Sequence, residues 1–541
     1  MNWEELLCTN DFNQDFEIFV NSLKYCYECS FSPVRVQENR YKKPKNWYTE
    51  ELRQQKIFLE VLYDKMKREN TKKMIELYKK SKTKYKENIK KTKKCSNSAY
   101  LSQAENKNKA AWKIIKGNWK PDPPVTAVNT EKLNTYFVEL PGNLVNSPKG
   151  VSSRTRMPSF ASTNSFQMNE VSQEVILNIV KRLKGKKSTD HFGLSNYIIK
   201  KILHYIITPL TVLINTAIRE GRFPEVLKIV RVRPILKKGG PNDASNYRPI
   251  GMVPILSKIL ETVVAKQLSE YLEQKGLISE EQYGYREGYN TVDAVSSIVE
   301  EIIYAFEKKE KCVATFCDLS KAFDMVSHDI LLEKLERYGI QGKSNRFFNE
   351  YLRGRRQYVC HNGNNSAIKQ INRGVPQGSV LGPLLFLIFI NEVGGQVPCK
   401  VILYADDTTL VTRSNETKLA LNIAQDNLKQ LKTCIAENEL ILNEEKTFTK
   451  EFMIKRQEKS TSTNFLGIIL DSGISWKNHI SELNSKLSKV IYLLRSLKDE
   501  LRAETLRTAY FGLFHSKLSY GIVLWGGAPD AVTTFRLIVY F

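Results

Sequence analysis

At 541 residues the chain has room for several domains with sizeable cores. Its 82 Lys and Arg against 58 Asp and Glu give a formal net charge of +24 at pH 7, which points to an anionic partner, nucleic acid first. Nine cysteines, at positions 8, 26, 29, 95, 312, 317, 360, 399 and 434, are too scattered for a disulfide scaffold and fit a reducing compartment. Cys26 and Cys29 form one CxxC, but no second CxxC or nearby His pair completes a zinc site. No signal peptide is visible, and the apolar run from Leu384 to Ile390 falls short of a membrane span. The expectation is a soluble, intracellular protein with no membrane partner.

Residues 1–40 mix apolar and acidic positions and end near Pro33. Residues 41–120 hold about two-thirds of the net positive charge. Apolar residues recur there at helical spacing through Leu52, Phe58, Val61, Leu62 and Met66, then Met74, Ile75, Tyr78, Tyr85 and Ile89. Two or three basic amphipathic helices are expected over 41–120, either as a solvated charged hairpin or as an RNA-binding surface, within a basic helical connector region spanning 1–120. Residues 121–168 read as a linker, because Pro121, Pro123, Pro124, Pro141, Pro148 and the Ser/Thr-rich stretch from Ser152 to Ser165 break periodicity. A helix resumes near Ser172 with Val175, Ile176, Ile179, Val180 and Leu183 on one face, and an apolar helix runs through Leu210, Leu213 and Ile214. Ile229 to Leu236 reads as a strand ending in Lys237-Lys238.

Cys312 to Cys317 has the composition of a buried strand and ends in Asp318; Ser320-Lys321-Ala322-Phe323-Asp324 then open one helix carrying Ile330, Leu331, Leu332 and Leu335. His328 and Asp329 are expected on its surface. Lys334, Arg337, Lys343, Arg353, Arg355 and Arg356 form a basic cluster around a hairpin from Tyr358 to Gln370, suited to holding phosphates without reading sequence. An apolar helix is expected from Leu381 to Val393. Lys400 to Val411 reads as strand, tight turn at Asp406-Asp407, strand. Two carboxylates at such a tip are costly to bury and repel each other. An Asp-Asp pair alone could be an acidic surface turn. With Asp318 as a third carboxylate, the set suits two Mg²⁺ ions, which take carboxylates, phosphates and water, and which clamp both oxygens of an in-line phosphoryl displacement. An amphipathic helix from Leu419 to Leu440 and a terminal helical region with Leu483, Leu487, Val490, Leu493 and Leu494 on one face complete the pattern.

Three blocks in order, Asp318-Leu319-Ser320-Lys321-Ala322-Phe323-Asp324, Arg373-Gly374-Val375-Pro376-Gln377-Gly378-Ser379 and Tyr404-Ala405-Asp406-Asp407, resemble the reverse transcriptases of non-LTR, LINE-type retrotransposons of the jockey-like group. Ser245-Asn246-Tyr247-Arg248-Pro249-Ile250, Gln282-Tyr283-Gly284-Tyr285-Arg286, Leu442-Asn443-Glu444-Glu445-Lys446-Thr447 and Phe465-Leu466-Gly467-Ile468 resemble further blocks of that family, and Pro44 to Leu52 resembles the connector after its endonuclease. The resemblance implies an α+β right-hand polymerase fold: fingers and a palm with an antiparallel sheet over 169–478, and a partial helical thumb over 479–541, preceded by the basic helical segment. It implies an RNA-directed DNA polymerase acting on an RNA template, a DNA primer and deoxynucleoside triphosphates, with two Mg²⁺ (or Mn²⁺) ions and no protein partner suggested.

By the same resemblance Asp318 and Asp406 hold both metals, Asp407 is more peripheral, and the Leu319 carbonyl is a further ligand. Arg286 would contact the triphosphate and Arg248 the template, each with a structural salt bridge as its alternative. Phe323 would be the steric gate against a 2′-OH, or a core aromatic. Gln377 would bond template and nucleotide beside Gly378, where a backbone can approach closely. Lys446 would meet the leaving pyrophosphate as general acid or as counter-charge. The endonuclease and the rest of the thumb have no counterpart in the sequence, so the reading set against a working polymerase is a shortened remnant that only binds nucleic acid. Retroviral, group II intron and telomerase enzymes fit the wording less well. A nuclear location is an expectation from the family, joined by lysine runs such as Lys90-Lys91-Thr92-Lys93-Lys94.

Overall fold

The structure is a computed structural model that describes residues 3–7, 9, 11–31, 47–104, 107–116, 129–145, 165–237, 239–361, 363–453 and 461–537. The sequence expectations at Cys8, Pro33, Pro44, Pro121, Pro123, Pro124, Pro148, Lys238 and most of the Ser/Thr-rich stretch lie outside them. The chain divides into two compact units, residues 1–33 with 126–454, and residues 34–125 with 455–541.

The first unit contains, in chain order, the strands β1 (Ile229–Leu236), β2 (Tyr247–Met252), β3 (Lys311–Asp318), β4 (Arg356–His361), β5 (Asn364–Asn365), β6 (Lys369–Gln370), β7 (Lys400–Tyr404), β8 (Asp407–Ser414) and β9 (Phe448–Phe452). They form two sheets. One has the order β2-β1-β4-β5, with β6 also on β4; β1 runs antiparallel to β2 and parallel to β4. The other is wholly antiparallel, with order β7-β8-β3-β9. The strand predicted at Ile229–Leu236 is present over those residues. Within the stretch expected as a linker, Thr130–Val145 is helical and holds β4 and its hairpin: Asn134 accepts from Gln357 and donates to the Ala367 carbonyl.

The helix Leu381–Ile390 is apolar on every face and almost entirely buried, as such a helix must be. Its end groups therefore need partners inside the protein. Glu261, with 0% of its area exposed, accepts from the backbone N–H of Val380 at 2.7 Å and of Leu381 at 3.2 Å, and from Ser257 Oγ at 2.6 Å. At the other end Lys334 Nζ donates to the Phe389 carbonyl and pairs with Glu392 at 3.0 Å. A buried anion thus meets the positive end of the helix dipole and a buried cation its negative end. Lys334 belongs to this clamp and not to the expected phosphate-binding cluster. Glu392 has a job here, and Asn391 is equally committed, to Ser279 N–H, the Leu277 carbonyl and the Tyr338 hydroxyl.

The single helix expected after Asp318 is split into Ala322–Met325 and His328–Arg337. Between them the carbonyls of Phe323 and Val326 accept from Val375 and Gly374 instead of continuing a helical ladder. His328, expected on the surface, is buried and its Nε2 lies 2.9 Å from the Gly374 carbonyl. Asn196–Glu220, rather than Leu384 to Ile390, is the described helix that is long and apolar enough to cross a membrane; half of its most apolar window is buried inside the unit. Phe12–Ser30 adds Phe12, Phe16, Phe19, Val20 and Leu23 to the same core.

In the second unit Glu50–Glu69 and Lys72–Gln103 form a basic helical hairpin, turning at Asn70 in the left-handed region. Asn97 and Ser98 on its second helix bond Glu500 and the Arg502 N–H. The strands β10 (Ser462–Phe465) and β11 (Ile468–Asp471) make a hairpin, followed by the helix Lys477–Leu497, where Leu483, Leu487, Val490, Leu493 and Leu494 are all buried.

Replacing Lys334 by Met leaves Glu392 unpaired in the interior, so urea denaturation should show a loss of about 3 kcal/mol or more. Adding Glu392→Gln to Lys334→Met should restore most of it; equal losses in the single and double variants would mean that the pair is not what Lys334 provides.

Candidate active site

The antiparallel register sets Asp318, the last residue of β3, directly opposite Asp407, the first of β8. Tyr404 pairs with Asp407, so the turn residues are Ala405 and Asp406, one position earlier than the sequence suggested. Directly opposed side chains on such strands stand only about 5 Å apart at Cβ, and like charges there destabilise the pair. The consequence is visible in the titration: burial first, then the charges of Asp406 and Asp318, push Asp407 up to about 6. Asp406 is also raised, by burial and by Asp318.

A second segment closes this end of β3. Ser320 N–H donates to the Ile441 carbonyl and Asn443 N–H to the Asp318 carbonyl, bracketing an antiparallel bridge between Leu319 and Leu442. At such a non-bonded pair the residues' own backbone groups point away from each other, so the Leu319 carbonyl faces away from Leu442. Lys446, four residues after Leu442, reaches back to Asp318 Oδ2 at 2.7 Å. Lys237 at the end of β1, Lys321 and Arg248 complete a ring of cations: the charges of Arg248 and Lys446 act on Asp406, and burial together with Lys321, Arg248 and Lys446 lowers the Lys237 pKa. Among the described residues no three acidic, His or Cys side chains are gathered closely enough to hold an ion as they stand. The donor set nevertheless fits divalent cations: hard oxygens, mutually repelling, with an ammonium already standing in on one of them.

The Gln377 turn borders the same site. Gln377 Nε2 donates to Asp324 Oδ1 at 2.7 Å, and its carbonyl accepts from Gly251 of β2 at 2.9 Å. Gly378 has φ +104°, and a Cβ there would lie 2.4 Å from the Gly251 carbonyl oxygen, so the expected close backbone approach is between Gly378 and β2. Phe323 stacks on Phe386, centroids 4.5 Å apart, and meets Tyr285 edge-on at 6.2 Å.

Arg286 is placed differently from its expected role. Its guanidinium pairs with Glu273 at 2.8 Å, donates to the Ser279 and Gln282 carbonyls, and lies over the Tyr289 ring, so the salt-bridge alternative describes it in this structure. Its neighbour Tyr285 is the residue of that block which reaches the carboxylates: burial and the charge of Asp406 raise its pKa. Gly284 makes this possible, because a Cβ there would sit 2.4 Å from the Ala405 nitrogen. Arg355 also departs from expectation; it is buried, whereas Arg353 is exposed and paired with Asp329.

Residues 235–470 match the family described as Reverse transcriptase (RNA-dependent DNA polymerase). The chain carries a reverse transcriptase domain. It is 29% identical over 399 residues to the probable RNA-directed DNA polymerase from transposon BS of Drosophila melanogaster, covering 68% of this chain and 43% of that one. It is 28% identical to the RNA-directed DNA polymerase from mobile element jockey of Drosophila funebris, covering 67% and 42%. The chain thus spans about two-fifths of the length of these relatives. A solved telomerase from Candida albicans, in complex with the TWJ fragment of telomeric RNA, aligns at 14% identity and a TM-score of 0.38, covering 64% of this chain and 68% of that one. The reverse transcriptase domain is α+β, with Asp318 and Asp407 on the wholly antiparallel sheet, Asp406 in its hairpin turn, and Arg248 on the sheet that contains β1 and β2. Lys237, Tyr285 and Asp324 around its site were not singled out from sequence, although each stands inside or beside a quoted block.

Burial pushes Asp324 up to about 6, against the Gln377 bond and the charges of Lys321, Lys237 and Arg248, which oppose the rise. A raised carboxylate pKa gives stability that is complete below its unfolded value, near 4, and is lost as pH rises through the folded value. The melting temperature should therefore carry a component that falls between about pH 4 and 6. Asp324→Asn should flatten that component, and an unchanged pH profile in the variant would exclude Asp324 as its source.

Proposed function

We propose that the reverse transcriptase domain polymerises DNA on an RNA template, adding deoxynucleotides to a primer 3′-OH with two divalent ions. The observation that carries this reading is the cross-strand pairing of Asp318 with Asp407, with Asp406 in the adjoining turn. Asp318 and Asp406 would hold both ions, with Asp407 and the Leu319 carbonyl as further ligands. Two Mg²⁺ ions, with Mn²⁺ as substitute, would supply charge neutralisation at the attacking hydroxyl and at the leaving pyrophosphate.

The chain's own groups do the positioning, which is most of catalysis in phosphoryl transfer. Lys446, which reaches Asp318 at 2.7 Å, would meet the leaving pyrophosphate as general acid or as counter-charge. Arg248, exposed on β2, would bind template or triphosphate oxygens. Phe323 is held by Phe386 where its ring edge and Tyr285 can bound the sugar and base of an incoming nucleotide. The Gln377 amide, pinned to Asp324, would contact both strands of the nascent pair. Arg286 would join only after leaving Glu273.

Primer extension with purified protein, RNA template, annealed DNA primer, deoxynucleotides and Mg²⁺ tests this. Asp406→Ala should reduce extension to background while leaving duplex binding intact. Extension unchanged in that variant would refute the site, and binding without extension by the wild type would favour a chain that only holds nucleic acid through its charge. Tyr285→Ala should raise the nucleotide KM about tenfold, the loss of one base-stacking contact, with little change in primer-template affinity. Lys446→Arg separates the two roles of the lysine: a counter-charge is kept, whereas a general acid loses about 10²-fold or more in kcat.

A further inference from the structure

The basic hairpin of the second compact unit has no part in the chemistry proposed above. Its second helix, Lys72–Gln103, has 32 residues and carries 11 lysines against two acids, Glu76 and Glu87. At 1.5 Å per residue it is a rod of about 48 Å. Asn88 Nδ2 donates to Gln55 Oε1 at 3.0 Å, and the Tyr78 ring lies 5.5 Å from that of Tyr63. These contacts mark the side that faces the helix Glu50–Glu69.

The lysines are ordered with respect to that side. At about 100° per residue, Lys72, Lys79 and Lys86 follow one edge of the solvent face, and Lys73, Lys80 and Lys84 the other. All six are exposed, and Lys90 and Lys91 extend the two edges. The edges stand roughly a third of a turn apart. Midway between them, opposite the partner helix, come Glu76, Thr83 and Glu87, also exposed. Of the edge lysines, only Lys90 forms an ion pair among the described residues, with Asp499 at 3.9 Å. Like charges three and four residues apart oppose the helix that carries them, and a polyanion would relieve this.

The arrangement selects among polyanions. Single strands are held by bases stacked on aromatic rings, and neither the edges nor the midline carries one. A membrane surface takes up an apolar face beside the basic one, whereas this midline is acidic. One phosphate backbone laid along the midline would meet Glu76 and Glu87. Two backbones, one on each edge, would meet lysines alone. The major groove of B-form DNA, about 12 Å wide, offers that pair of backbones and admits a helix of about 10–12 Å. The major groove of an RNA duplex is too narrow. Glutamates at the groove floor can accept from the cytosine amino group.

We propose that the helix Lys72–Gln103 docks in the major groove of double-helical DNA, with its two lysine edges on the phosphates of the two strands. Lys72 to Lys91 spans about 28 Å, or about eight base pairs. This partner is additional to the RNA template and its primer, and it is bound whether or not the carboxylate centre polymerises.

The full chain should be titrated, by fluorescence anisotropy, against a DNA duplex of about 24 base pairs, the matching RNA duplex and the single DNA strand, between about 50 and 300 mM salt. Replacing Lys72, Lys73, Lys79, Lys80, Lys84 and Lys86 together by Gln, a comparable helix former, should lower the slope of log K against log[salt] on the DNA duplex by about 4–5. On the RNA duplex and the single strand the slope should change by about 1 or less. The same number of exposed lysines replaced in the first unit, Lys201, Lys266, Lys275, Lys308, Lys418 and Lys429, should also change the DNA slope by about 1 or less. An unchanged DNA slope in the hairpin variant, an equal loss in the control variant, or an equal loss on the RNA duplex or single strand would overturn the proposal. Circular dichroism reports whether the hairpin variant keeps its helix. A second measurement needs no variant: DNA carrying glucosylated 5-hydroxymethylcytosine has a filled major groove and unaltered phosphates. It should bind the wild-type chain more weakly than plain DNA, and undiminished binding would equally overturn the groove docking.

Discussion

Asp318 faces Asp407 across one strand pair with Asp406 at the adjoining turn, and at that spacing the negative charges oppose the sheet that carries them. Much of the surrounding structure compensates. Lys446 sits on Asp318, Lys237 and Arg248 lie close enough to act on the cluster, and Asp407 keeps its proton into the range of pH 6. The backbone shares the load: Lys321, Ala405 and Tyr285 have φ of +50°, +57° and +56°, a region that side chains disfavour by about 1–2 kcal/mol each. Three non-glycine residues in that conformation around one site mark it as a place where geometry is kept at a cost in stability. The core repays it. The buried helix Leu381–Ile390, held at both ends by Glu261 and Lys334, fixes Phe386, and through it Phe323.

The parts of this arrangement that depend on local pattern were legible in the sequence. β1 and β3 were readable as apolar runs, the Lys477–Leu497 helix as a periodic stripe, and the hairpin as two runs flanking two acids. The hairpin turn was displaced by one residue because Asp-Asp looked like its tip, whereas pairing of Tyr404 with Asp407 leaves Ala405 in the strained position. Nothing in the local sequence announces that an alanine will take it; the close approach of Gly284 does, and that is a contact across more than a hundred residues. The same reason explains the helix break at Val326, which follows from bonds to Gly374 and Val375.

Charged residues were the least legible. Lys334 and Arg355 look like surface cations in sequence, since both stand among other basic residues. One is buried against a helix terminus and the other against a cavity. Arg286 takes its salt-bridge alternative, and Tyr285, given no role from sequence, stands nearer the carboxylates, for a similar reason. The partner that captures Arg286, Glu273, lies thirteen residues away on the helix Ile255–Gln274, while Arg286 stands in a loop, so no spacing rule links the two. What sequence supplied reliably was the identity of the blocks; which member of each block faces the chemistry was decided by tertiary packing.

The two compact units are each assembled from separate pieces of chain, 1–33 with 126–454 and 34–125 with 455–541. During synthesis the basic helical hairpin Glu50–Glu69 and Lys72–Gln103 emerges long before the segment around Glu500 and Arg502 that it bonds. At about 5–20 residues per second, the interval is tens of seconds. For that time a lysine-rich helical hairpin stands on the nascent chain without the contacts that Glu500 and Arg502 give it in the finished unit.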